Sequence, residues 1–244
     1  MSQDNLVALV SGSTRGIGKA IAERLINDGY MVFFNSRKEM SESEQHMSKY
    51  LAADVTSPIE CKLLVEATIA TFGRLDLLVC NVGTGVELDN KVSSTERWDH
   101  YLRSNLLSAT NLIDAALAHL KETKGSVVAI SSICGSSLNV NAPVEYSVAK
   151  TALNAYIKLM AMKYGEVGVR FNAVSPGNVI FENSTWEKKI KLDPIAVENY
   201  INQNVPLKDF INPEEVAAAV SFLSSLDSKS TTGTILTIDG GQSL

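Results

Sequence analysis

A tyrosine and a lysine four residues apart, Tyr146 and Lys150, have residue types and spacing that could support catalysis. They fall in a segment with helical periodicity, where positions i and i+4 share one face, so the phenol and the ammonium can serve one site. A free phenol titrates near ~10, and a neighbouring ammonium lowers that pKa. Ser132, fourteen positions earlier, follows an apolar run that predicts a strand, and α/β sheets bind ligands at the carboxyl ends of strands. The adjacent Ser131 is the alternative hydroxyl for the same role.

A glycine-rich turn near the start of the chain predicts a dinucleotide-binding site. Its glycines follow the first apolar run in the pattern GxxxGxG and precede a helical pattern. Glycines permit a tight turn and a close approach to a pyrophosphate, while the helix N-terminus offers free N–H groups and the positive end of its dipole. The candidate cofactor-binding residues of this turn are Gly12, Ser13, Thr14, Arg15, Gly16, Ile17 and Gly18.

The end of the second predicted strand indicates which dinucleotide binds. Sheets that bind NAD usually carry an acid there for the ribose 2′-OH, but no acid occurs in this segment before Glu39. Ser36 and Arg37 occupy the position instead, and the guanidinium fork of Arg37 matches a 2′-phosphate. Arg15 in the glycine turn can approach the same phosphate. We therefore predict NADP(H) as the cofactor in preference to NAD(H).

Apolar segments of strand length alternate with segments of helical periodicity along the chain. The predicted strands are Leu6–Ser11, Tyr30–Phe34, Tyr50–Ala53, Leu75–Cys80, Ser126–Ser131, Val169–Ser175 and Thr234–Ile238. The predicted helices run from Ile17 to Gly29, Pro58 to Gly73, Thr95 to Leu120, Glu145 to Tyr164 and Pro213 to Leu226. This alternation predicts an α/β fold with a doubly wound parallel sheet covered on both faces. We expect one domain over residues 1–244, with the aperiodic stretch Asn178–Val205 as a substrate lid.

Composition argues against several classes of protein. The 244 residues are 45% hydrophobic and 20% charged, as in ordinary globular domains, and a net charge of −5 without a basic stripe argues against nucleic-acid binding. No apolar run approaches the ~20 residues of a membrane helix, so no membrane association is expected. Isolated cysteines and scattered histidines form no metal-ligand pattern and fit a reduced, cytoplasmic protein.

Together these motifs resemble the short-chain dehydrogenase/reductase family, in particular the single-domain branch that includes the 3-oxoacyl-carrier-protein reductases. The resemblance extends from Leu6 to Gly241. It rests on the glycine turn, Asp54-Val55, Asn81-Val82-Gly83, Asn105, Ser132, Tyr146 with Lys150, and Pro176-Gly177. It implies a Rossmann-type sheet of seven parallel strands and hydride transfer between a nicotinamide and a carbonyl or secondary alcohol.

The resemblance also implies a role for each catalytic position. Tyr146 would give its proton to the carbonyl oxygen during reduction, and Ser132 would hydrogen-bond the same oxygen. Lys150 would hold the nicotinamide ribose and lower the pKa of Tyr146. Asn105 would anchor a water that relays protons through Lys150, or alternatively would only bend its helix.

Further cofactor contacts follow from the same resemblance. The implied positions are Asp54 and the Val55 backbone for the adenine, Asn81 and Gly83 for the adenine-ribose and pyrophosphate side, and Pro176, Gly177 and Val179 for the nicotinamide amide. The chain departs from the family pattern at Phe181, where a threonine often bonds that amide. The stretch between Arg37 and Asp54 is also short, which predicts a stunted helix between the second and third strands.

Two segments around the predicted cavity bear on the substrate, residues Ser136–Glu145 and the lid. Their polar and aromatic side chains are Asn139, Asn141, Glu145, Phe181, Glu182, Asn183, Trp186 and Tyr200. A pocket for a long acyl chain would be more apolar, and Glu166 beside Val167 would repel an acidic carrier protein. We therefore favour a small polar carbonyl substrate, such as a sugar-derived ketone. A 3-oxoacyl thioester reductase, a nucleotide-sugar epimerase and a non-catalytic dinucleotide-sensing protein are the alternatives.

The two longest predicted helices indicate self-association. On the second, apolar and small side chains cover most of the circumference, namely Ala149, Ala152, Leu153, Ala155, Tyr156, Leu159, Met160 and Met162. A helix on a sheet face that is apolar nearly all round needs a covering partner, so we expect a homo-oligomer. The family resemblance implies that these helices pair in a tetramer, with a dimer as the alternative.

Overall fold

Seven parallel strands form the centre of the computed structural model, which describes residues 6–38, 49–89, 91–137 and 142–244. The strands are β1 (Val7–Val10), β2 (Met31–Ser36), β3 (Lys49–Ala52), β4 (Leu77–Cys80), β5 (Ser126–Ile130), β6 (Arg170–Pro176) and β7 (Ile235–Ile238). Their order in the sheet is β3-β2-β1-β4-β5-β6-β7. The predicted doubly wound, Rossmann-type sheet is therefore confirmed.

Helices connect the strands and cover both faces of the sheet. They are α1 (Gly16–Asn27), α2 (Pro58–Phe72), α3 (Ser94–Leu102), α4 (Ser108–Thr123), α5 (Val144–Tyr164), α6 (Thr185–Leu192), α7 (Pro194–Asn204) and α8 (Pro213–Ser224). On one face α1 and α8 pack around Val79 and Val220, which are fully buried. On the other face α2, α4 and α5 pack around Leu112 and Phe171. Burial of each such side chain contributes ~1.5–3 kcal/mol, so the two clusters hold the helices to the sheet.

The strand order creates a crevice at one edge of the sheet. From β1 the chain continues to β2 and β3 on one side, whereas β4 to β7 lie on the other. Ligands of open α/β sheets bind at the carboxyl ends of the strands, where the order reverses in this way. Ser11, Asn81, Ser131 and Gly177 come directly after β1, β4, β5 and β6. The fold therefore brings the predicted site residues to one edge of the sheet.

The helix predicted as one element from Thr95 to Leu120 is instead two helices joined by a π-helical turn. This turn spans Arg103–Leu107 and carries Asn105 at its centre. A π-helical turn inserts an extra residue into a helical turn and is frequent at functional sites. The sequence pattern did not reveal it, because the helical periodicity continues from α3 into α4.

The predicted irregular lid, Asn178–Val205, also contains two helices. Ser184 caps α6 by accepting a hydrogen bond from the Glu187 N–H at 3.1 Å. Asp193 caps α7 in the same way, with Pro194 at the first helical position. These caps are helix-start signals visible in the sequence. Hydrophobic periodicity did not predict these two helices, because α6 buries no side chain fully and α7 buries only two.

Within the described ranges, no helix is long and apolar enough to cross a membrane, and no cluster of His, Cys, Asp or Glu could hold a metal ion. Three sequence predictions lie outside these ranges. They concern Asn139, Asn141 and the stunted helix expected between β2 and β3, where residues 39–48 are not described.

Candidate active site

The glycine turn between β1 and α1 has a backbone that glycine adopts readily. Gly12 and Gly16 have φ angles of +64° and +52°, in the left-handed region. A side chain at Gly18 would collide with the Gly12 carbonyl oxygen and with the side-chain amide of Asn81. That amide donates to the carbonyl oxygens of Ser11 at 3.0 Å and Gly12 at 3.2 Å. Asn81 therefore supports the turn from behind, a role that the sequence analysis did not give it.

The N-terminus of α1 is chemically suited to an anion. Its N-cap residue, Arg15, makes no side-chain capping bond, and the first turn contains no acidic side chain. The first N–H groups and the positive end of the helix dipole are therefore not neutralised by the helix itself. This donor set, next to glycines that leave room for a close approach, fits the diphosphate of a dinucleotide.

Phe181 connects the glycine turn to the lid. A Cβ at Gly16 would lie 2.6 Å from the ring of Phe181, so this packing requires glycine. The Phe181 N–H donates to Ser184 Oγ at 3.3 Å, and the Ser184 N–H donates to the Phe181 carbonyl oxygen at 2.9 Å. This turn leads directly into α6. The departure from the family pattern at this position thus places an aromatic ring between the cofactor cradle and the lid.

The end of β2 carries the residues predicted to recognise a 2′-phosphate. Arg37 is exposed, and Ser36 Oγ donates to the carbonyl oxygen of Lys38 at 2.8 Å. Ser36 Oγ also lies 3.0 Å from the phenolic oxygen of Tyr50 on β3, a residue that the sequence analysis missed. Arg15 lines the large cavity described below.

Asn35 joins the glycine turn to the ends of β2 and β3. It is 1% exposed, and its Nδ2 donates to the carbonyl oxygens of Leu51 at 3.2 Å and Ala53 at 3.1 Å. Its Oδ1 accepts from the Gly12 N–H at 3.4 Å. The buried amide of Asn35 therefore fixes the end of β2 directly before Ser36 and Arg37.

Asp54 and Val55 follow β3 and form a braced turn. The Asp54 carboxylate accepts from the Thr56 N–H at 2.9 Å, while the Asp54 N–H donates to Glu60 Oε2 at 2.7 Å. Val55 is 1% exposed and belongs to the core cluster beneath this turn. Glu60 is a further residue of this corner that the sequence analysis did not single out.

Ser132, Tyr146 and Lys150 converge beside the end of β5. Ser132 and Tyr146 line the same cavity, and Ser132 is near enough to the Tyr146 phenol to lower its pKa. Lys150 is 3% exposed, and its Nζ donates to the Ile130 carbonyl oxygen at 2.8 Å. The Ser131 hydroxyl is buried and has no hydrogen-bond partner among the described residues. The proximity to Tyr146 favours Ser132 over Ser131 as the hydroxyl that acts with the phenol.

Burial sets the pKa values of this pair. Desolvation raises the pKa of Tyr146 to about 12, although Ser132 acts in the opposite direction. Desolvation also lowers the pKa of Lys150 to about 8. The sequence analysis expected a lowered pKa for Tyr146, but its net pKa is raised, because desolvation outweighs the groups that favour the phenolate. The Lys150 ammonium is bound to the Ile130 carbonyl oxygen, and burial has the largest effect on the pKa of the Tyr146 phenol.

Asn105 is fully buried in the π-helical turn and bonds to the loop after β4. Its Oδ1 accepts from the Thr84 N–H at 2.9 Å, and its Nδ2 donates to the Thr84 carbonyl oxygen at 2.9 Å and the Tyr101 carbonyl oxygen at 3.1 Å. The side chain is thus committed to fixing the loop that begins at Gly83. A Cβ at Gly83 would lie 2.8 Å from Asn105 Oδ1 and 2.9 Å from Lys150 Nζ.

The loop after β6 forms the opposite wall. The Gly177 N–H donates to the Ile238 carbonyl oxygen at 2.9 Å, and a Cβ at Gly177 would lie 2.9 Å from Asp239 Cβ. Pro176 ends β6, and Val179 pairs with Ile211 in an isolated bridge. Between them, Asn178 Nδ2 is buried without a hydrogen-bond partner among the described residues.

A cavity of about 840 Å³ joins these parts. Its walls include Arg15, Ile17, Gly83, Ser131, Ser132, Tyr146, Pro176, Gly177, Asn178, Val179, Phe181, Asn183, Trp186, Lys189 and Tyr200. Trp186 and Tyr200 stack with their ring centroids 5.2 Å apart, and Lys189 Nζ lies 4.5 Å from the centroid of the Trp186 ring. Glu182 is not part of this wall, and neither is Glu145, which pairs with Arg97 at 3.2 Å.

Comparison with known proteins identifies the family. The family model described as enoyl-(acyl carrier protein) reductase matches residues 12–243. The chain belongs to the short-chain dehydrogenase/reductase family. It is 34% identical to a putative ketoacyl reductase of granaticin polyketide synthase from Streptomyces violaceoruber, over 98% of this chain and 96% of that protein. It is also 34% identical to L-fucose dehydrogenase from Bos taurus, over 98% and 89% of the two chains.

A solved structure agrees with this assignment. The aldohexose dehydrogenase of Thermoplasma acidophilum superposes with a TM-score of 0.86 and 28% identity, over 98% of this chain and 94% of that one. Dehydrogenases and reductases of this short-chain family act on CH–OH or C=O groups with a nicotinamide cofactor. The chain is therefore a short-chain oxidoreductase.

Proposed function

We propose that this protein is an NADP(H)-dependent dehydrogenase/reductase that interconverts a small polar carbonyl compound and its alcohol. The observation that carries the proposal is the placement of Ser132 and Tyr146 together in the wall of a cavity that also reaches Arg15 and Ile17 at the glycine turn. When bound, the nicotinamide supplies or accepts the hydride. The protein's own groups supply the proton and stabilise the charge on oxygen.

In the direction of reduction, Tyr146 gives its phenolic proton to the carbonyl oxygen while the carbonyl carbon gains the hydride. A pKa of about 12 keeps that proton on the phenol at neutral pH. Ser132 hydrogen-bonds the same oxygen and stabilises its developing charge. Lys150, when charged, stabilises the resulting phenolate. In oxidation the phenolate takes the proton from the alcohol, so the same groups act in reverse.

Asn105 and Lys150 provide the route by which Tyr146 regains its proton. The Asn105 side chain is committed to Thr84 and Tyr101, so a relay water would bind the backbone of the π-helical turn. A π-helical turn departs from the regular i→i−4 pattern and leaves backbone groups available to other partners. We therefore retain Asn105 as a member of the catalytic set, acting through its backbone.

The preference for NADP(H) is supported by the residues at the end of β2. Ser36 and Arg37 stand there in place of an acid, and the buried amide of Asn35 precedes them. A guanidinium forms paired hydrogen bonds with a phosphate, whereas a ribose 2′-OH is usually bound by a carboxylate.

The substrate class is supported by the lid. Trp186 and Tyr200 present aromatic surface to the cavity, and Asn178 lines the same space. Aromatic faces are electron-rich and pack against the C–H faces of sugars, while a few placed polar groups orient their hydroxyls. The similarity to an L-fucose dehydrogenase and an aldohexose dehydrogenase agrees with a sugar-like substrate.

A 3-oxoacyl thioester reductase is the second candidate. It is favoured by the similarity to a putative ketoacyl reductase, and the description of the family model also refers to an acyl carrier protein. A panel of ketones, sugars and acyl thioesters, assayed by NADPH absorbance, separates the two candidates by their kcat/KM values.

The catalytic role of Tyr146 is tested in the same assay. Tyr146→Phe should lower kcat by ~10²–10⁴-fold and leave NADPH affinity within a few-fold, because only the proton donor is lost. Tyr164→Phe removes a phenolic hydroxyl at the far end of α5 and is the matched control. Its kcat and its affinity for NADPH should equal those of the wild type. Near-full activity of Tyr146→Phe would refute the mechanism. Tight cofactor binding by the wild type without turnover of any substrate would favour the non-catalytic sensor.

We also propose that the chain is one domain that assembles into a dimer or tetramer through the outer face of α5. Val148, Leu159 and Met162 on this face are 44%, 63% and 82% exposed. Apolar side chains in such a stripe are typical of an interface between subunits.

A further inference from the structure

The phenol of Tyr50 closes the loop that carries Arg37. Tyr50 lies on β3, which pairs with β2 so that Phe34 is opposite Tyr50 and Ser36 is opposite Ala52. Its hydroxyl lies 3.0 Å from Ser36 Oγ and also donates a hydrogen bond to the carbonyl oxygen of Lys38. The two residues that flank Arg37 are therefore both bonded to one phenolic oxygen on the neighbouring strand.

These bonds hold the loop in one shape. Ser36 Oγ also lies 2.8 Å from the Lys38 carbonyl oxygen, so its single proton can be donated either to that oxygen or to the phenol, and the Lys38 N–H donates to Ser36 Oγ at 3.4 Å. The phenol thus ties both Ser36 and Lys38 to β3. Asn35 precedes Ser36, and its side-chain amide bonds to the Leu51 and Ala53 carbonyl oxygens at the end of β3. The backbone of Arg37 is braced on both sides, although its side chain is exposed.

We propose that Tyr50 is a positioning residue that sets the preference for a 2′-phosphorylated dinucleotide. This inference rests on the proposed function, because it assumes that Arg37 meets the 2′-phosphate. A flexible arginine loses conformational freedom when it clamps a phosphate, and a braced loop reduces that loss. A dinucleotide with a free 2′-OH has no phosphate for Arg37 to bind, so its affinity does not depend on the hydrogen bonds of Tyr50. Tyr50 therefore acts on the ratio of the two affinities.

The decisive variant is Tyr50→Phe, which keeps the ring and removes only the hydroxyl. Calorimetric titration with NADPH and NADH should show a ~3–10-fold rise in the Kd for NADPH, the range expected for a hydrogen bond of ordinary strength. The Kd for NADH should stay within about 2-fold. The matched control is Tyr30→Phe, which removes a phenol that donates to the Ser224 carbonyl oxygen at 3.5 Å, next to the other end of β2. It should leave both affinities unchanged.

A second variant separates this inference from the proposed function. Arg37→Ala should abolish the preference for NADPH, and adding Tyr50→Phe to it should cause no further loss if Tyr50 acts through Arg37. An Arg37→Ala variant that still prefers NADPH would overturn the proposed cofactor choice. If Arg37→Ala loses the preference but Tyr50→Phe keeps it, only the role of Tyr50 is overturned. Equal weakening of both cofactors by Tyr50→Phe, or a full additional loss in the double variant, would also overturn that role.

Discussion

Replacing Gly83 by alanine tests whether the catalytic groups are as closely packed as the structure shows. Gly83 has a φ outside the left-handed region, so alanine is compatible with the backbone and the only obstacle is space. The added methyl would lie 2.8 Å from Asn105 Oδ1 and 2.9 Å from Lys150 Nζ. Both neighbours are buried and hydrogen-bonded, Lys150 to Ile130 and Asn105 to Thr84.

The size of the effect follows from these distances. Carbon atoms in contact are normally ~3.5 Å or more from their neighbours, so the lysine or the asparagine must move by roughly 0.5 Å. A displacement of 1 Å in an active site can lower the rate ~10²-fold, so we expect a ~10-fold or greater fall in kcat. Overpacking should also destabilise the fold by ~1–3 kcal/mol. For a chain of this size, that corresponds to a Tm lower by roughly 2–12 °C.

The assay is NADPH oxidation at saturating cofactor, combined with thermal unfolding. Gly165→Ala is the matched control, because Gly165 has a helical φ of −60° and a Cβ there would meet nothing within 4 Å. This control should retain full activity and gain ~0.4–1 kcal/mol of stability, since alanine restricts the unfolded chain. If Gly83→Ala kept its kcat within 2-fold and melted like the control, the crowding around Lys150 would be refuted.

Three further predictions concern charge, cofactor and assembly. Burial lowers the pKa of Lys150 from 10.5 to about 8, so between these values the folded protein binds fewer protons than the unfolded chain and its stability rises with pH. From about pH 8 to 10, the melting temperature of the wild type should therefore rise relative to that of Lys150→Met. A difference between the two melting temperatures that does not change with pH would contradict the lowered pKa of Lys150. Arg37→Asp should raise the Kd for NADPH by ~10–150-fold and favour NADH, as measured by titration with both cofactors, and equal wild-type affinities would refute the assignment. Light scattering should give two or four times 26.4 kDa, and a fully active monomer at micromolar concentration would exclude the α5 interface.

Local patterns were enough to predict the sheet and the proximity of Ser132, Tyr146 and Lys150. The strand predicted at Tyr50–Ala53 is observed at Lys49–Ala52, and the helix predicted from Glu145 to Tyr164 begins one residue earlier. Tyr146 and Lys150 share a helix face, and Ser132 follows a strand, so short-range geometry brings them together. Each of these inferences depends on residues close in sequence.

The features that were missed depend on tertiary packing. Helical periodicity runs through the π-helical turn at Asn105, whose distinct hydrogen bonding becomes visible only with the Thr84 loop in place. The direction of the Tyr146 pKa shift depends on desolvation by distant segments, which no i,i+4 rule contains. Tyr50 meets Ser36 only because β3 pairs with β2 in one particular register.

The support of the glycine turn by Asn81 has a consequence for the order in which the molecule forms. Asn81 lies seventy residues beyond Ser11, and its side chain and its backbone N–H both bond to that residue. A parallel neighbour such as β4 can be added only after the intervening crossover has closed, and such long-range contacts form slowly. A nascent chain that ends before β4 therefore contains every glycine of the turn without the brace that shapes it. The turn can take its braced shape during synthesis only when the chain has passed Asn81, well after the motif itself has been made.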